Sequence, residues 1–401
     1  MTPELLEFDR FHTEELPRRL ADGNGALAQR LAARLGPLTL ELEDGRAFTY
    51  SASETGVEIH RGPLPNSTRI EFSHECWLNL VQDLESGPGL LYSQRGQLKE
   101  GRGADFLEWE SGWRALYHGR PIFEPADRAS EGLVDREGRP LDLAQTFSLD
   151  CDLGEMAHFM KEAGYAVIEK VFSQDEIERF WQASEELKAG ARQGDQSSWW
   201  GKSSAGETVL TRVLDGSVHE ALRGMEHEER LTRFIKAVEP DLIPNFEGND
   251  FISVLYKNPQ MIEGLSDLPW HRDCGMGGHA TMCPTINLSI FLSETNDETG
   301  PLRFLAGSHR GSVPFMDAEA KGAPRGTSLH AQPGDISLHY GDVMHAAPPP
   351  RGRNHFRRSL VLTWKPPHSQ PHTGQDHYND VLLEGSEDGQ VANLQQILER
   401  D

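Results

Sequence analysis

Trp270-His271-Arg272-Asp273, answered by Gly341-Asp342-Val343-Met344-His345 and then by the adjacent Arg357-Arg358, is the part of this chain whose reading decides the rest. His271 and Asp273 are two residues apart. On a strand, side chains so spaced point to one face and Arg272 points to the other. One extended segment therefore delivers an imidazole and a carboxylate side by side. The second imidazole, His345, closes a β-prone run bounded by Pro333-Gly334 and Pro348-Pro349-Pro350, both turn or breaker signals. Two imidazoles and a carboxylate fill one face of an octahedron and leave three positions open, an arrangement that suits ferrous iron with co-substrate and dioxygen. His-x-Asp alone carries little weight in a chain with 17 histidines and 63 acidic residues. The weight comes from its surroundings.

Pro284-Thr285-Ile286-Asn287-Leu288-Ser289-Ile290-Phe291-Leu292 alternates, so Thr285, Asn287 and Ser289 share one face and Ile286, Leu288 and Ile290 the other. Such a strand presents hydroxyls and an amide to a polar pocket and packs its reverse on a core. Gly300-Pro301-Leu302, Gly307-Ser308-His309 and Pro333-Gly334-Asp335 follow in order. Upstream, Phe159 to Phe172 reads as a helix followed by a strand, and Ser173-Gln174-Asp175-Glu176 as the capping box of a further helix. With these motifs, residues from about 150 to 366 resemble the phytanoyl-CoA dioxygenase family of Fe(II)- and 2-oxoglutarate-dependent oxygenases. The resemblance implies a mainly β fold, a double-stranded β-helix (jelly-roll) with flanking helices. It also implies iron ligation by His271, Asp273 and His345, and an arginine at Arg357 that holds the distal carboxylate of 2-oxoglutarate. With Fe(II), 2-oxoglutarate and O2 as its reagents, such an enzyme hydroxylates a small molecule. A retained Asp273 favours hydroxylation over halogenation, because in related halogenases chloride replaces that carboxylate.

Arg357 and Arg358 must point to opposite faces of their strand. Arg357 lies with Ser359, Val361 and Thr363, the more polar set, whereas Arg358 lies with Leu360, Leu362 and Trp364. A guanidinium fork meets a carboxylate in two parallel charge-assisted hydrogen bonds, so Arg357 is the expected clamp and Arg358 the alternative. Thr285 and Asn287 are expected to hydrogen-bond 2-oxoglutarate, with a satisfied core amide as the competing reading for Asn287. His339 lies six residues before His345, on the same strand face, and is a candidate to support the ligands. His309 reads as a turn-stabilising residue and His279 as a loop residue. Trp199, Trp200 and Lys202 are lid candidates, with packing aromatics as the plainer reading.

The front of the chain is a different unit. Leu38 to Tyr50 alternates around Asp44-Gly45 like a hairpin, further strands follow at Gly56–His60 and Ser67–Phe72, and Trp77, Leu80, Val81 and Leu84 have helical spacing. Its core is expected to come from Leu38, Leu40, Leu42, Phe48, Ile59, Ile70, Phe72, Trp77, Leu80, Val81, Leu84, Leu90 and Leu98. This order of elements over about residues 25 to 120 resembles the sterol-carrier-protein type 2 fold, which implies a smaller α+β domain and a lipid-like or acyl-chain substrate. The expected division is an α+β domain at 1–125, a polar linker at 126–145, the oxygenase domain at 146–367 and a polar tail at 368–401. A net charge of −24 opposes nucleic acid as a partner, no apolar run approaches the ~20 residues of a membrane span, and four cysteines show no framework spacing. A cytoplasmic enzyme is expected, and its oligomeric state is not legible. The competing reading is a catalytically inactive lipid- or metabolite-binding protein on the same barrel.

Overall fold

The computed structural model describes residues 6–83, 86–92, 95–123, 129–195, 197–246, 251–259, 261, 268–273, 285–313, 324–348, 350–351 and 356–367. Leu84, His279, Cys274, Cys283 and the expected tail lie outside them. No helix among the described residues is long and apolar enough to cross a membrane.

The front unit is a five-stranded sheet of β1 (Leu38–Leu42), β2 (Ala47–Ala52), β3 (Val57–Arg61), β4 (Thr68–Phe72) and β5 (Gly96–Glu100), in the order β3-β2-β1-β4-β5. The β1–β2 turn is the Asp44-Gly45 hairpin, with Gly45 at φ 85° where a side chain would be strained. The helices Gly25–Leu35, His74–Val81 and Gly103–His118 accompany the sheet. Its core is aromatic: Phe8, Phe11, Phe48, Trp77, Trp109 and Trp113 are buried together. Within it runs a closed polar chain. Tyr117 Oη lies 2.7 Å from Tyr50 Oη, Tyr50 Oη donates to His12 Nε2 at 2.6 Å, and His12 Nδ1 donates to the Phe8 carbonyl at 2.7 Å. Every expected front-core residue among those described is buried or packs against this core except Leu98, which is 40% exposed. It sits on β5, an edge strand paired only with β4 and exposed along most of its length, so alternation there has no core to meet.

The second half begins with β6 (Phe147–Ser148) and the helix Leu153–Ala163, which Asp152 caps by accepting from the Gly154 and Glu155 amides. Then come β7 (Tyr165–Glu169) and the helix Gln174–Gly190, started by the expected Ser173/Glu176 capping box. Leu133 joins the core of this half and Val134 O accepts from His158, so residues 129–145, read from sequence as a polar linker, pack against it. The remaining strands are β8 (Ser198–Lys202), β9 (Thr208–Val213), β10 (Ile243–Pro244), β11 (Ile252–Lys257), β12 (Leu268–His271), β13 (Ile286–Phe291), β14 (Arg303–Phe304), β15 (Thr327–Ser328), β16 (Ile336–Tyr340), β17 (His345–Ala347) and β18 (Arg357–Lys365).

They form a nine-stranded sheet in the order β6-β7-β16-β13-β18-β11-β9-β8, with β10 on β18, and a four-stranded sheet in the order β12-β17-β14-β15. The two pack face to face: Phe304 of the small sheet stacks on Tyr165 of the large one at 4.6 Å. This is the expected mainly β jelly-roll with flanking helices, built as two open sheets. The large sheet turns Ile286, Leu288 and Ile290 toward its helix-covered core and Thr285, Asn287 and Ser289 inward, so the alternation of β13 holds although both faces are buried.

Candidate metal centre

The site lies between the two sheets. In the β12–β17 ladder His271 is paired directly with His345, so residues 74 apart in sequence become neighbours on one face. Donor atoms of His271, Asp273 and His345 all lie within 4.8 Å of one another. His271 Nε2 is 3.5 Å from Asp273 Oδ1, and His345 Nε2 is 3.5 Å from Asp273 Oδ2. His345 Nδ1–H donates to the Val343 carbonyl at 3.0 Å, which fixes the tautomer and leaves the Nε2 lone pair facing the carboxylate. Burial outweighs the attraction of Asp273 and pushes the His345 imidazole down to about 3, so at neutral pH it is an uncharged ligand. Burial works against the Asp273 carboxylate too, but His345, His271 and His339 around it hold it well below the usual carboxylate range. Two imidazoles and an ionised carboxylate fit a ferrous ion.

Other side chains hold that carboxylate. Asn287 Nδ2 donates to Asp273 Oδ2 at 2.5 Å, and Thr363 Oγ1 donates to Asn287 Oδ1 at 2.6 Å. His339 Nε2 also reaches Asp273 Oδ2, at 3.2 Å. The strand register explains the gathering: Asn287 on β13 is opposite His339 on β16 and Thr363 on β18. The structure thus engages Asn287 with the carboxylate, and Thr285 stands buried at the start of the same inward face.

Because Thr363 points inward, so do Val361, Ser359 and Arg357. Arg357 is 1% exposed and donates from Nη1 to the Gly300 carbonyl at 2.8 Å, while its buried Nε has no hydrogen-bond partner among the described residues. Burial lowers its pKa to about 10, which leaves it charged at neutral pH. Arg358 points the other way. It donates to Ser184 Oγ at 3.0 Å, pairs with Glu185 and lies 4.0 Å over the Trp181 ring. Lys257, opposite Arg357 in the β11–β18 ladder, is buried and donates to the Ala347 carbonyl beyond the His345 ligand. The sequence reading did not single out Lys257, whose inward phase depends on register with β18.

His309 donates or accepts through Nε2 at the Lys161 carbonyl, 2.9 Å away, in the turn that follows Gly307, as its turn reading expected. Trp199 and Trp200 are packing residues: Trp199 is buried in the front unit's core under the Arg212 guanidinium, and Trp200 Nε1 donates to Ser198 Oγ at 2.8 Å. Lys202 closes the same strand.

Three potential donors gathered between the sheets of a jelly-roll form a candidate site for a single metal ion. Residues 160–359 match the phytanoyl-CoA dioxygenase (PhyH) family, and over that span the chain belongs to it. The chain is 27% identical over 247 residues, 55% of its own length and 80% of the relative's, to a probable alpha-ketoglutarate-dependent hypophosphite dioxygenase of Stutzerimonas stutzeri. Among solved structures it is similar to AviO1 from Streptomyces viridochromogenes Tue57, with 24% identity and a TM-score of 0.43, over 55% of this chain and 98% of that one. It is also similar to the epimerase SnoN, solved with Fe3+, alpha-ketoglutarate and nogalamycin RO, with 18% identity and a TM-score of 0.45 over 60% and 95% of the two chains.

Proposed function

We propose that this chain is an Fe(II)- and 2-oxoglutarate-dependent dioxygenase that hydroxylates a small molecule, with His271, Asp273 and His345 as the metal ligands. The observation that carries the reading is the convergence of these three donors on one point between the sheets. Bound iron and 2-oxoglutarate supply an oxidation by dioxygen in which 2-oxoglutarate becomes succinate and carbon dioxide. The chain's own residues do the rest. Asn287 and His339 orient the Asp273 carboxylate, the Val343 carbonyl orients His345, and Arg357 offers a desolvated guanidinium to the far carboxylate of 2-oxoglutarate. The complete donor set and the waiting arginine speak against the inactive binding protein.

The open part of the inner face favours a small polar substrate over the acyl chain suggested by the front unit's resemblance. Leu255, Val361 and Thr363 remain partly exposed there, beside buried Ser253, whose hydroxyl accepts from Arg212 Nε at 2.9 Å. Thr363 offers a hydroxyl there between the short apolar side chains of Leu255 and Val361, a mixed face that suits a small molecule with polar groups. The relative named for hypophosphite, a small oxyanion, points the same way. The test is succinate release from 2-oxoglutarate with and without Fe(II), then with small oxyanions and polar metabolites against acyl thioesters. Iron-dependent succinate is expected, coupled best to a polar compound. No iron dependence overturns the enzyme reading, and tight coupling to an acyl thioester overturns the substrate class.

A further inference from the structure

The back of the metal site is held by residues that belong to the front of the chain. Arg272, just past the end of β12 and between His271 and Asp273, places Nε 3.6 Å from Asp342 Oδ1. Asp342 stands in the turn three residues before His345, so this pair ties the two ligand-bearing segments together behind the ladder. Arg114 and Arg120 then reach Asp342 from the front unit, at 3.6 Å on Oδ1 and 3.0 Å on Oδ2. Arg114 also faces Asp83 at 3.6 Å and Glu110 at 3.8 Å. Arg272, Arg114 and Arg120 thus meet on Asp342, with Asp83, which burial pushes up to about 7, and Glu110 beside Arg114, in a cluster where Arg114, Arg272 and Asp342 are each at most 5% exposed.

Two further contacts point to the same coupling. The connector after Arg120 runs along Ser312, with Phe123 N donating to Ser312 O at 2.9 Å and Ser312 N donating to Pro121 O at 2.8 Å. It lays Phe123 against a small core of Trp270, Leu305, Val313, Met344 and Ala346. Trp270 and Met344 are the residues immediately before His271 and His345. Trp199 on β8 and Leu214 just after β9 complete the front unit's own core.

We propose that the front unit is part of the metal site's scaffold, and that Arg272 and Asp342 are the positioning residues through which it sets the directions of His271, Asp273 and His345. This rests on the metal assignment proposed above. A buried ion cluster is a poor source of net stability, because desolvation offsets much of the attraction, but it is directional and enforces one arrangement of the groups it joins. Here the groups it joins are the backs of two ligand segments.

The test uses the full chain and Co(II) as a visible stand-in for iron, measuring its Kd by equilibrium dialysis and its d–d absorption spectrum, with thermal unfolding in parallel. Arg272→Gln, Arg114→Met and Arg120→Ala are each expected to weaken Co(II) about 10- to 100-fold, the range for residues that orient metal ligands, and to alter the spectrum. The double variant Arg114→Met/Arg272→Gln should lose less than the product of the singles, since both act through Asp342. Variants with lower melting temperature but an unchanged Co(II) Kd and spectrum would make the cluster structural only and overturn the proposal. Arg120, the most exposed of the three arginines, decides the matter if a buried variant does not fold. Conservative Arg120→Lys should restore part of the affinity. A wild-type chain that binds no Co(II) instead overturns the metal assignment itself.

Discussion

Arg357→Ala should cripple 2-oxoglutarate binding while Arg358→Ala leaves it intact, although the two residues are adjacent and both buried. Among the described residues Arg357 has one acceptor, the Gly300 carbonyl, and a buried Nε without a partner. Its charge is thus held for a ligand that brings an acceptor. Removing one member of a sheltered, hydrogen-bonded charge pair costs about 2–5 kcal/mol. At roughly 1.4 kcal/mol per tenfold, 2-oxoglutarate should bind from about 30-fold to several thousand-fold more weakly. Arg358 spends its charge on Glu185, Ser184 and the Trp181 ring, so its loss should cost on the order of 1–3 kcal/mol of fold stability. The assay is calorimetric titration of 2-oxoglutarate into the Co(II)-loaded protein under nitrogen, with urea unfolding of each variant. If Arg358→Ala weakens 2-oxoglutarate as much as Arg357→Ala does, the inward phase assigned to β18 is wrong.

Replacing His345 by Ala should abolish both metal retention and iron-dependent succinate formation, read by metal analysis after dialysis and by succinate chromatography. Asn287→Ala should weaken the metal about 10- to 100-fold with only a modest rise in the KM for 2-oxoglutarate, because its amide serves the Asp273 carboxylate; a large KM effect with metal affinity untouched would return Asn287 to the co-substrate. The front core should carry an acid-sensitive element. Burial pushes the His12 imidazole down to about 4 from an ordinary 6.5. The unfolded chain therefore binds a proton below pH 6.5 that the folded chain refuses until about pH 4, so this stability is complete above pH 6.5 and is lost as pH falls toward 4. The loss amounts to about 3 kcal/mol, and denaturant unfolding at pH 7 and 4.5 should show a smaller drop for His12→Phe than for the unaltered chain.

The three candidate donors that the structure brings together were legible because they carry their chemistry in local spacing. His-x-Asp spacing keeps His271 and Asp273 close although β12 ends at His271 and Asp273 stands in the bend after it, and the β-prone run before His345 breaks at a turn, so that β16 ends at Tyr340 and His345 opens β17 in the other sheet. The capping box at Ser173 and the Asp44-Gly45 hairpin were legible for the same reason, each being complete within a few residues. What stayed hidden depends on register between remote strands. Nothing near Asn287 says that it will stand between His339 and Thr363 and reach Asp273, and a co-substrate role was the natural reading of an amide on that face. Lys257 is inward only because β11 pairs with β18. Arg272 read as the residue pointing away from the metal, which it is, but its target, Asp342 joined by Arg114 and Arg120, belongs to three segments spread over more than two hundred residues. Leu98 misled because strand alternation predicts a face without saying whether anything covers it.

The direct pairing of His271 with His345 would make the proposed metal site a detector of strand slippage. Side chains alternate along each strand, so moving β17 by one residue against β12 would turn one imidazole out of the site and break up the donor set at once. A mispaired chain would then fail to capture the ion, and only the correctly threaded one would gain the extra stability that ligand binding confers by mass action. Iron, in that view, proofreads the last pairing of the sandwich. A single residue inserted between Gly341 and His345 should therefore leave most strands in place and yield a protein that unfolds at the same denaturant concentration whether or not metal is supplied.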